Sequence, residues 1–438
     1  MFVYFYLVTF KSIFMSLLSN LAETLIGSEI VRLGNAINDR KAKGEKIYNY
    51  TIGDFDPSIF PIPQLFEDEI VKAYREHRTN YPPADGILPL RNAVSALVKR
   101  REGLEYKSDE VLISSGGRPL IYALFKTIVD KGDKVIYTVP SWNNNHYAHM
   151  NDGEHCVVEV TPENNFMPTA ADLAPHIKDA TLICLCSPQN PTGTTLDKAE
   201  LEQICDMILV ENAGRAAGAK KLYLMYDQMY WTLTYGDTVH YNPVSLRPEM
   251  KAYTIFVDGI SKALAATGVR VGWAMGPTQV IAKMKALLSH IGAWAPMAEQ
   301  YATAQFLSNE AAFDGFLEGF KLQLEERLNF IYREFIRLKE KGYPVDIIAP
   351  QAAIYLTLKI DLKGWHFNGH PLQTQSEVSE FLLNEAHLAI VPFSCFGADA
   401  SSPWYRVSVG TCKFEDLTEM FGELEDALSR LQQPHLQS

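Results

Sequence analysis

Lys262 is the residue whose type and surroundings offer the clearest chemistry in this sequence. It lies in the segment SKALAATGVRVGW, residues 261–273, directly after an apolar stretch and eight residues before Arg270. A lysine amine is normally protonated, but a desolvated amine beside another cation loses its proton and attacks carbonyl groups to form a Schiff base. Because most single lysines are solvated surface residues, the segment predicts a nucleophile only if other parts of the chain supply partners for it.

Two segments offer groups that suit a phosphate. The apolar stretch VLISS leads into Gly116, Gly117 and Arg118 and then into a helical pattern. Backbone N–H groups at the start of a helix bind anions, and Ser261 and Arg270 add a hydroxyl and a guanidinium that suit the same anion. Each feature has an ordinary alternative, which is a plain turn for the glycines and a surface ion pair for Arg270.

Four further residues follow apolar stretches in the same way. Asp227 and Tyr230 lie at the end of the segment LYLMYDQMY, Asn190 lies in an NPTG turn, and Trp142 follows TVPS. A carboxylate at the end of a buried strand needs a cationic partner, and a protonated pyridine nitrogen would serve. The flat face of Trp142 can stack on an aromatic ring, although a core tryptophan and a plain NPTG turn are the commoner alternatives.

The elements that must position these residues alternate between strands and helices. From about residue 65, seven strand-like apolar stretches are separated by helical stretches, which is typical of a largely parallel sheet with helices on both faces. Open sheets of this kind bind ligands at the carboxyl ends of their strands, where the candidate residues lie. We predict an α/β fold with a mostly parallel seven-stranded sheet and a second, smaller α/β domain.

The predicted domain boundaries follow breaks in this pattern. Residues 15–60 are expected to form the N-terminal segment of the small domain, residues 61–310 the large domain, and residues 311–438 the C-terminal part of the small domain. Residues 1–14 are apolar and aromatic but lack the basic start and cleavage site of a signal peptide. We interpret them as a doubtful extension, with Met15 as a second candidate for the start of translation.

Composition limits the possible classes of function. The chain has 438 residues and a formal net charge of −12, which argues against non-specific nucleic-acid binding because that requires a basic surface. Its six cysteines include no CxxC pair, and we interpret them as reduced thiols of a cytoplasmic protein. No metal site is predicted, because the sequence has no HExxH motif and His146 with His149 lacks a clear third ligand.

Eight short motifs occur in an order that is specific in combination. They are IGDFDP, YPPADGILPLR, SSGGRPL, VPSW, SPQNPTG, YDQMY, SKALAATGVRVGW and YRVSVG. From about Leu25 to its end, the chain resembles the class I/II aminotransferase family of the fold-type I pyridoxal-phosphate enzymes, in particular its aspartate-aminotransferase-like members. The resemblance implies a homodimer that moves an amino group from an L-amino acid to a 2-oxo acid by a ping-pong mechanism, with pyridoxal 5'-phosphate as cofactor.

The resemblance also implies roles for the residues around the cofactor ring. Lys262 would hold the cofactor as a Schiff base and then carry a proton between the substrate α-carbon and the cofactor. Asp227 would pair with the pyridinium nitrogen. Tyr230 and Asn190 would hydrogen-bond the phenolic oxygen of the ring. Trp142 would stack on the ring and, with Asn190, border the substrate.

Further residues are implied for the cofactor phosphate and the substrate. Those implied for the phosphate are the backbone of Gly117 and Arg118, Ser261 and Arg270. Tyr81 would reach the phosphate from the neighbouring subunit, so the homodimer would share its active sites. Arg406 would bind the substrate α-carboxylate in a two-pronged contact, with the backbone of Gly53 beside it.

The substrate side chain is left open by the sequence. The segment GAWAPM contains no arginine, although some dicarboxylate-specific relatives carry one there, so Lys126 is the alternative cation for a distal carboxylate. A solvated helix residue is the other interpretation of Lys126. Aspartate is therefore a hypothesis for the amino donor. Gln228 and the segments QAAIY and FDP depart from the commonest family pattern and weaken the assignment of a subfamily.

Two other functions fit parts of the pattern. A lyase of the carbon–sulfur or related type would use the same cofactor and the same lysine. A regulator with an aminotransferase-like sensing domain would carry a DNA-binding unit before that domain. Only about fifty residues precede IGDFDP, and they are not notably basic. The sequence therefore favours an enzyme over a regulator.

Overall fold

Short, buried apolar stretches form the strands of the central sheet. A computed structural model describes residues 18–27 and 29–433, so the predicted extension over residues 1–14 lies outside the described residues. The strands are β1 Tyr48–Asn49, β2 Val111–Ser114, β3 Lys134–Val139, β4 Glu154–Glu159, β5 Ala180–Cys186, β6 Tyr223–Asp227, β7 Thr254–Gly259, β8 Gly272–Met275, β9 Val345–Ile347, β10 Tyr355–Ile360, β11 His366–Phe367, β12 His370–Pro371, β13 Leu388–Ala389, β14 Val391–Pro392 and β15 Trp404–Ser408.

Helices connect and flank these strands. They are α1 Asn20–Thr24, α2 Glu29–Ala42, α3 Gln64–Arg75, α4 Leu88–Glu102, α5 Gly117–Ile128, α6 Asn144–His149, α7 Ala170–Leu173, α8 Lys198–Gly214, α9 Pro243–Leu246, α10 Ile260–Ala263, α11 Thr278–Ile291, α12 Met297–Ser308, α13 Glu310–Glu340, α14 Gln375–Glu385 and α15 Leu417–Ser429. In the part of the chain that the structure describes, no helix is long and apolar enough to cross a lipid bilayer.

The central sheet has seven strands in the order β2-β8-β7-β6-β5-β3-β4. Strand β8 runs antiparallel to both of its neighbours, and the other pairs are parallel. Alternate residues of β5 enter different cores, since Leu182 and Cys184 pack in one apolar cluster and Ile183 and Leu185 in another. Burial on both faces explains why these strands are continuously apolar. The predicted mostly parallel, seven-stranded α/β fold is confirmed.

The N-terminal segment pairs with the C-terminal third of the chain. Strand β1 lies parallel to β13, with Tyr48 opposite Leu388. Strands β14, β15, β10 and β9 form a separate antiparallel sheet, and α13 extends over 31 residues between the two sheets in sequence. The expected domain boundaries near residues 60 and 310 remain predictions.

The register of the central sheet brings the carboxyl ends of three strands together. Cys186 of β5 lies opposite Asp227 of β6, and Asp227 lies opposite Val257 of β7. The single-turn helix α10 follows β7 directly, and α5 begins three residues after β2 ends. Side chains from separate parts of the sequence therefore meet at one edge of the sheet.

Candidate active site

A pocket of about 710 Å³ lies at this edge of the sheet. Its wall is formed by the carboxyl ends of β5, β6 and β7, the starts of α5 and α10, residues 51–54, and side chains from β10 and β15. Every residue predicted for the site lines this pocket except Tyr81 and Lys126. The structure thus brings together groups that are as far apart in sequence as Gly53 and Arg406.

Lys262 is the third residue of α10 and is only 8% exposed. Its Nζ atom donates a hydrogen bond to the carbonyl oxygen of Gly53 at 2.5 Å. The pKa of Lys262 is lowered to about 8, mainly by burial; Asp54 opposes this shift, and the charges of three pocket arginines add to it. A neutral amine is therefore accessible near physiological pH, as a nucleophile requires.

Asp227 is the last residue of β6 and faces the same pocket. Its Oδ1 atom accepts a hydrogen bond from the Met229 N–H group at 3.0 Å. Burial raises the pKa of Asp227 to about 6, and the bond from Met229 opposes this shift. Asp227 forms no ion pair with any residue that the structure describes. A carboxylate in this state is a suitable partner for a cationic nitrogen.

The start of α5 and Arg270 form a cradle at one end of the pocket. Gly116 precedes α5 with a φ angle of 92°, a left-handed conformation that favours glycine. A Cβ atom at Gly116 would lie 2.9 Å from Arg270 Cζ, so the guanidinium packs directly on backbone. Arg270 donates to the carbonyl oxygens of Thr267 and Ser115 at 2.6 and 2.8 Å. The helix start and the guanidinium, with the Ser261 side chain in the same wall, suit an anion.

Arg406 lies on β15 and is 1% exposed. Its Nη1 atom donates to Asn190 Oδ1 at 2.9 Å, and its Nη2 atom donates to the Thr51 carbonyl oxygen at 2.6 Å. The Nε atom is buried and has no hydrogen-bond partner in the part of the chain that the structure describes, and burial lowers the pKa of Arg406. An arginine that is buried without an acidic partner is suited to bind a carboxylate.

Trp142 and Arg118 form another wall of the pocket. The Arg118 guanidinium lies over the indole ring, with Cζ 5.3 Å from the ring centroid. Among residues 18–27 and 29–433, no side chain or carbonyl group forms a hydrogen bond or ion pair with the Arg118 guanidinium. Its charge is therefore available to a ligand in the pocket.

Tyr230 contacts Tyr355, which was not among the site residues predicted from the sequence. The hydroxyl groups of Tyr230 and Tyr355 lie 2.6 Å apart, and Tyr355 lines the pocket. Tyr355 belongs to the segment QAAIY, which the sequence offered only as a departure from a pattern. The sequence likewise did not predict that helix α2 lines the pocket, where Asn35 and Asn38 form part of the wall. An amphipathic pattern does not indicate which surface a helix will cover.

Two predicted site residues lie outside the pocket. Lys126 is exposed on α5, and its Nζ atom donates to the Met150 carbonyl oxygen at 3.1 Å. Its amine is directed to the end of α6 and away from the pocket, and a substrate-binding role for Lys126 stays a prediction. Tyr81 is 81% exposed and packs edge-on against Trp294, with the ring centroids 5.1 Å apart.

Potential metal ligands do not cluster in the part of the chain that the structure describes. No set of three or more His, Cys, Asp or Glu side chains within the described residues is arranged to hold a metal ion.

Comparisons with known sequences place this geometry in a family. The sequence profile described as aminotransferase class I and II matches residues 48–424. An aspartate aminotransferase of Bacillus sp. (strain YM-2) is 30% identical over 400 residues, which cover 90% of this chain and 95% of the relative. A probable aspartate/prephenate aminotransferase of Rhizobium leguminosarum bv. phaseoli is 28% identical, and the match covers 95% of this chain and 98% of the relative.

Solved structures agree with the sequence comparison. The aspartate aminotransferase from Rhizobium meliloti superposes with a TM-score of 0.86 at 25% identity, covering 94% of this chain and 99% of the other. The Thermus thermophilus aspartate aminotransferase with maleate gives a TM-score of 0.83 at 26% identity, covering 94% and 100%. The chain therefore belongs to the class I and II aminotransferase family.

Family membership settles the cofactor and the type of reaction. The chain is a pyridoxal-phosphate-dependent aminotransferase that uses amino acids and 2-oxo acids, and the relatives' names favour amino transfer over the lyase alternative. The pocket fits this cofactor. Asp227 has no cationic partner among the described residues, and a pyridinium nitrogen would supply one. The cradle of Gly116 and Arg270 suits a phosphate.

Proposed function

We propose that this aminotransferase takes an acidic amino acid, with aspartate as the leading candidate, as its amino donor. The observation that carries the proposal is the Arg118 guanidinium, which borders the pocket beside Trp142 and has no acidic partner among the described residues. Several relatives named aspartate aminotransferase add support.

Two arginines suit the two carboxylates of such a substrate. Arg406 binds the α-carboxylate, because it is buried and its Nε atom has no hydrogen-bond partner within residues 18–27 and 29–433. The backbone of Gly53 lies beside it, since a Cβ atom there would come within 3.5 Å of Arg406 Nη1. Arg118 binds the distal carboxylate. Guanidinium–carboxylate pairs are directional as well as strong, so the two arginines fix the substrate at both ends.

The residues around the cofactor ring are proposed to have the roles that the family resemblance implies. Bound pyridoxal phosphate supplies a carbonyl group for the amino group and an electron sink for the carbanion. Lys262 holds the cofactor and carries the proton of the substrate α-carbon on Nζ, for which its lowered pKa is suited. Asp227 keeps the ring nitrogen protonated. Tyr230 and Asn190 bond the phenolic oxygen, and Trp142 stacks on the ring.

The phosphate is held by groups of this chain and of a second copy. In this chain they are the Gly117 and Arg118 backbone, Ser261 and Arg270. Tyr81 acts in the neighbouring active site of a homodimer, which accounts for an aromatic ring that is 81% exposed. A cytoplasmic location belongs to the same proposal, because all six cysteines are free, as in proteins from reducing compartments.

The distal-carboxylate role of Arg118 is tested by comparing an acidic with a neutral donor. Replacing Arg118 by alanine leaves the backbone in place and removes one charged contact. We expect kcat/KM for aspartate to fall about 10- to 100-fold, since a hydrogen bond to a charged group contributes about 1.5–3 kcal/mol. The value for alanine, which has no distal carboxylate, is expected to change by less than about threefold.

Lys126→Ala is the matched control, since Lys126 lies on the same helix as Arg118 but outside the pocket. It is expected to leave kcat/KM for both donors unchanged. Equal decreases of kcat/KM for aspartate and alanine in Arg118→Ala would show that the Arg118 side chain does not bind the distal carboxylate. Loss of aspartate turnover in Lys126→Ala alone would support the prediction that Lys126 binds the distal carboxylate.

A further inference from the structure

Tyr355, the first residue of β10, joins three groups of the active site. Its hydroxyl group lies 2.6 Å from that of Tyr230. Its ring faces the Arg406 guanidinium, with Cζ 4.7 Å from the ring centroid. Its Oη atom would lie 2.7 Å from a Cβ atom at Gly53, so the hydroxyl group reaches its place only because residue 53 has no side chain. Tyr355 is thus packed between Arg406 and Tyr230.

We propose that Tyr355 is a positioning residue that donates its hydroxyl proton to Tyr230 and so couples carboxylate binding at Arg406 to the hydrogen bond between Tyr230 and the cofactor ring. The inference rests on the proposed roles of Tyr230 and Arg406. It adds a residue of the antiparallel sheet to a site whose proposed ring-contacting residues lie on or after strands of the central sheet.

The direction of the hydrogen bond follows from the number of protons. A phenol has one proton to donate and can accept through its oxygen. If Tyr230 donates to the phenolic oxygen of the cofactor, it has no proton left for Tyr355 and must accept from it. No other acceptor for the Tyr355 hydroxyl lies among the residues that the structure describes. Donation from Tyr355 polarises Tyr230 and makes Tyr230 a stronger donor to the ring.

The charge of Arg406 acts on the first step of this relay. Burial raises the pKa of Tyr355, and the nearby Arg406 charge opposes that shift. A carboxylate that binds Arg406 neutralises this charge, so the Tyr355 proton becomes less acidic and its donation to Tyr230 weakens. Arg406 also bonds Asn190 directly at 2.9 Å. Asn190 is a parallel route, so removing Tyr355 should reduce the coupling without abolishing it.

The test is a pH titration of the visible absorbance of the bound cofactor, with and without saturating maleate, a dicarboxylate that has no amino group to transfer. In Tyr355→Phe the ring remains under Arg406 and only the hydroxyl group is lost. Weaker donation from Tyr230 leaves more negative charge on the ring oxygen. This charge stabilises the protonated form of the bound cofactor, so the cofactor loses its proton at a higher pH. Without maleate, we expect the midpoint of the absorbance titration of Tyr355→Phe to lie about half a pH unit above that of the wild type. Maleate should raise the midpoint further, but by less in Tyr355→Phe than in the wild type.

Two further variants make the outcomes distinguishable. Tyr235→Phe removes another buried hydroxyl group, which bonds the Ala353 carbonyl oxygen on the segment leading to Tyr355; its midpoint is expected to stay at the wild-type value. Tyr230→Phe is expected to raise the midpoint, and adding Tyr355→Phe to it should cause no further rise, because the relay passes through Tyr230.

Each contrary result has one meaning. An unchanged midpoint in Tyr230→Phe would overturn the proposed role of Tyr230 and the relay with it. A raised midpoint in Tyr230→Phe but not in Tyr355→Phe, or equal effects of maleate in Tyr355→Phe and wild type, would overturn the relay alone. The same rise of the midpoint in Tyr235→Phe would also overturn the relay. Loss of cofactor from Tyr355→Phe but not from Tyr235→Phe would do so too, because either result would indicate a purely structural effect.

Discussion

At the scale of single residues, burial displaces the two central titrating groups toward neutrality. It lowers the pKa of Lys262 to about 8 and raises the pKa of Asp227 to about 6. The physical cause is the same, because a low-dielectric pocket disfavours the charged form of a base and of an acid. The lysine becomes a nucleophile, and the aspartate becomes a strong partner for a cation. Both shifts make the cofactor-free pocket less stable and more reactive.

The pKa of Lys262 predicts how the cofactor-free protein takes up pyridoxal phosphate. Only the neutral amine attacks the cofactor carbonyl, and its fraction increases with pH until the pH exceeds the pKa. We therefore expect the rate of covalent uptake, followed by visible absorbance, to rise up to about pH 8 and then level off. A rate that is still rising steeply at pH 10 would mean that Lys262 keeps its ordinary pKa. Lys262→Ala should show no covalent uptake at any pH.

Asp227→Asn is expected to stabilise the cofactor-free protein while it impairs catalysis. The folded-state pKa of about 6 lies above the ordinary carboxyl pKa of 3.8, so the ionised carboxylate destabilises the folded state above pH 6. Its replacement removes a cost of up to about 3 kcal/mol. Asparagine cannot keep the ring nitrogen protonated, and we expect kcat to fall on the order of 10²–10³-fold.

Urea unfolding of both cofactor-free proteins at two pH values checks the stability effect. At pH 7.5 the variant should have the higher midpoint. As the pH falls from 6 toward 4 the wild-type carboxylate becomes protonated in the folded state, so the difference should shrink. An Asp227→Asn protein that is less stable at pH 7.5 would show that the carboxylate has a favourable partner in the cofactor-free state.

At the scale of elements, the loop after β5 and the turn before β10 fix each other across the pocket wall. The Ala352 N–H group donates to the Gly193 carbonyl oxygen at 2.9 Å, and Thr357 Oγ1 donates to the Thr192 carbonyl oxygen at 2.9 Å. These bonds join the Asn190 loop to the strand that carries Tyr355. The position of Tyr355 therefore depends on a contact between elements as well as on β10 itself.

Two positions in this contact have left-handed backbones but should differ in how strongly substitution affects stability. Gly193 has a φ angle of 72° and Ala353 one of 61°. A Cβ atom at Gly193 would lie 3.0 Å from the carbonyl carbon of Tyr355, whereas Ala353 already carries one. We expect Gly193→Ala to destabilise the protein by about 3 kcal/mol or more and Ala353→Gly to change its stability by less than about 1 kcal/mol.

Thermal unfolding midpoints of the two variants provide the measurement. Gly193→Ala should show a clear fall in the midpoint together with weaker cofactor binding, because Asn190 and Tyr355 would both move. If Ala353→Gly were the more damaging change, the alanine methyl group would be required for packing and the backbone strain would be minor.

At the scale of the whole molecule, the active site is assembled from segments that lie far apart in sequence. Strand β1 pairs with β13 near residue 388, which places residues 51–54 beside Arg406. The Thr51 carbonyl oxygen accepts from Arg406, and the Gly53 carbonyl oxygen accepts from Lys262. The N-terminal segment thus connects the proposed carboxylate-binding residue with the proposed cofactor-binding lysine.

The shared active sites of the proposed homodimer predict complementation between two defective variants. Tyr81→Ala removes the group offered to the neighbouring subunit, and Lys262→Ala disables the chain's own site. In hybrid dimers one site combines the intact Lys262 of one chain with the intact Tyr81 of the other. Random exchange of subunits should therefore restore activity to about a quarter of the wild-type value. Activity that remains at the sum of the separate variants would show that Tyr81 does not act across an interface.

The sequence predicted which residues at strand ends line the pocket, but it did not predict where the side chain of Lys126 lies. Lys262, Asp227 and Asn190 stand in short motifs at strand ends, and the carboxyl edge of a parallel sheet brings strand ends together whatever the loops do. Lys126 does not stand in a motif at a strand end. Its direction depends on which face of α5 is solvated, and a single lysine in a helix does not reveal that. Arg118, eight residues earlier on the same helix, is the arginine that borders the pocket.

The sequence by itself determined the alternation of strands and helices and the motifs at the strand ends, because apolar periodicity and turn residues are local properties of the chain. The tertiary structure decided that α2 borders the pocket, that β1 joins β13, and that Tyr355 meets both Tyr230 and Arg406. Such contacts join residues that are tens to hundreds of positions apart. They form only when separate elements pack, and no local pattern of residues records that packing.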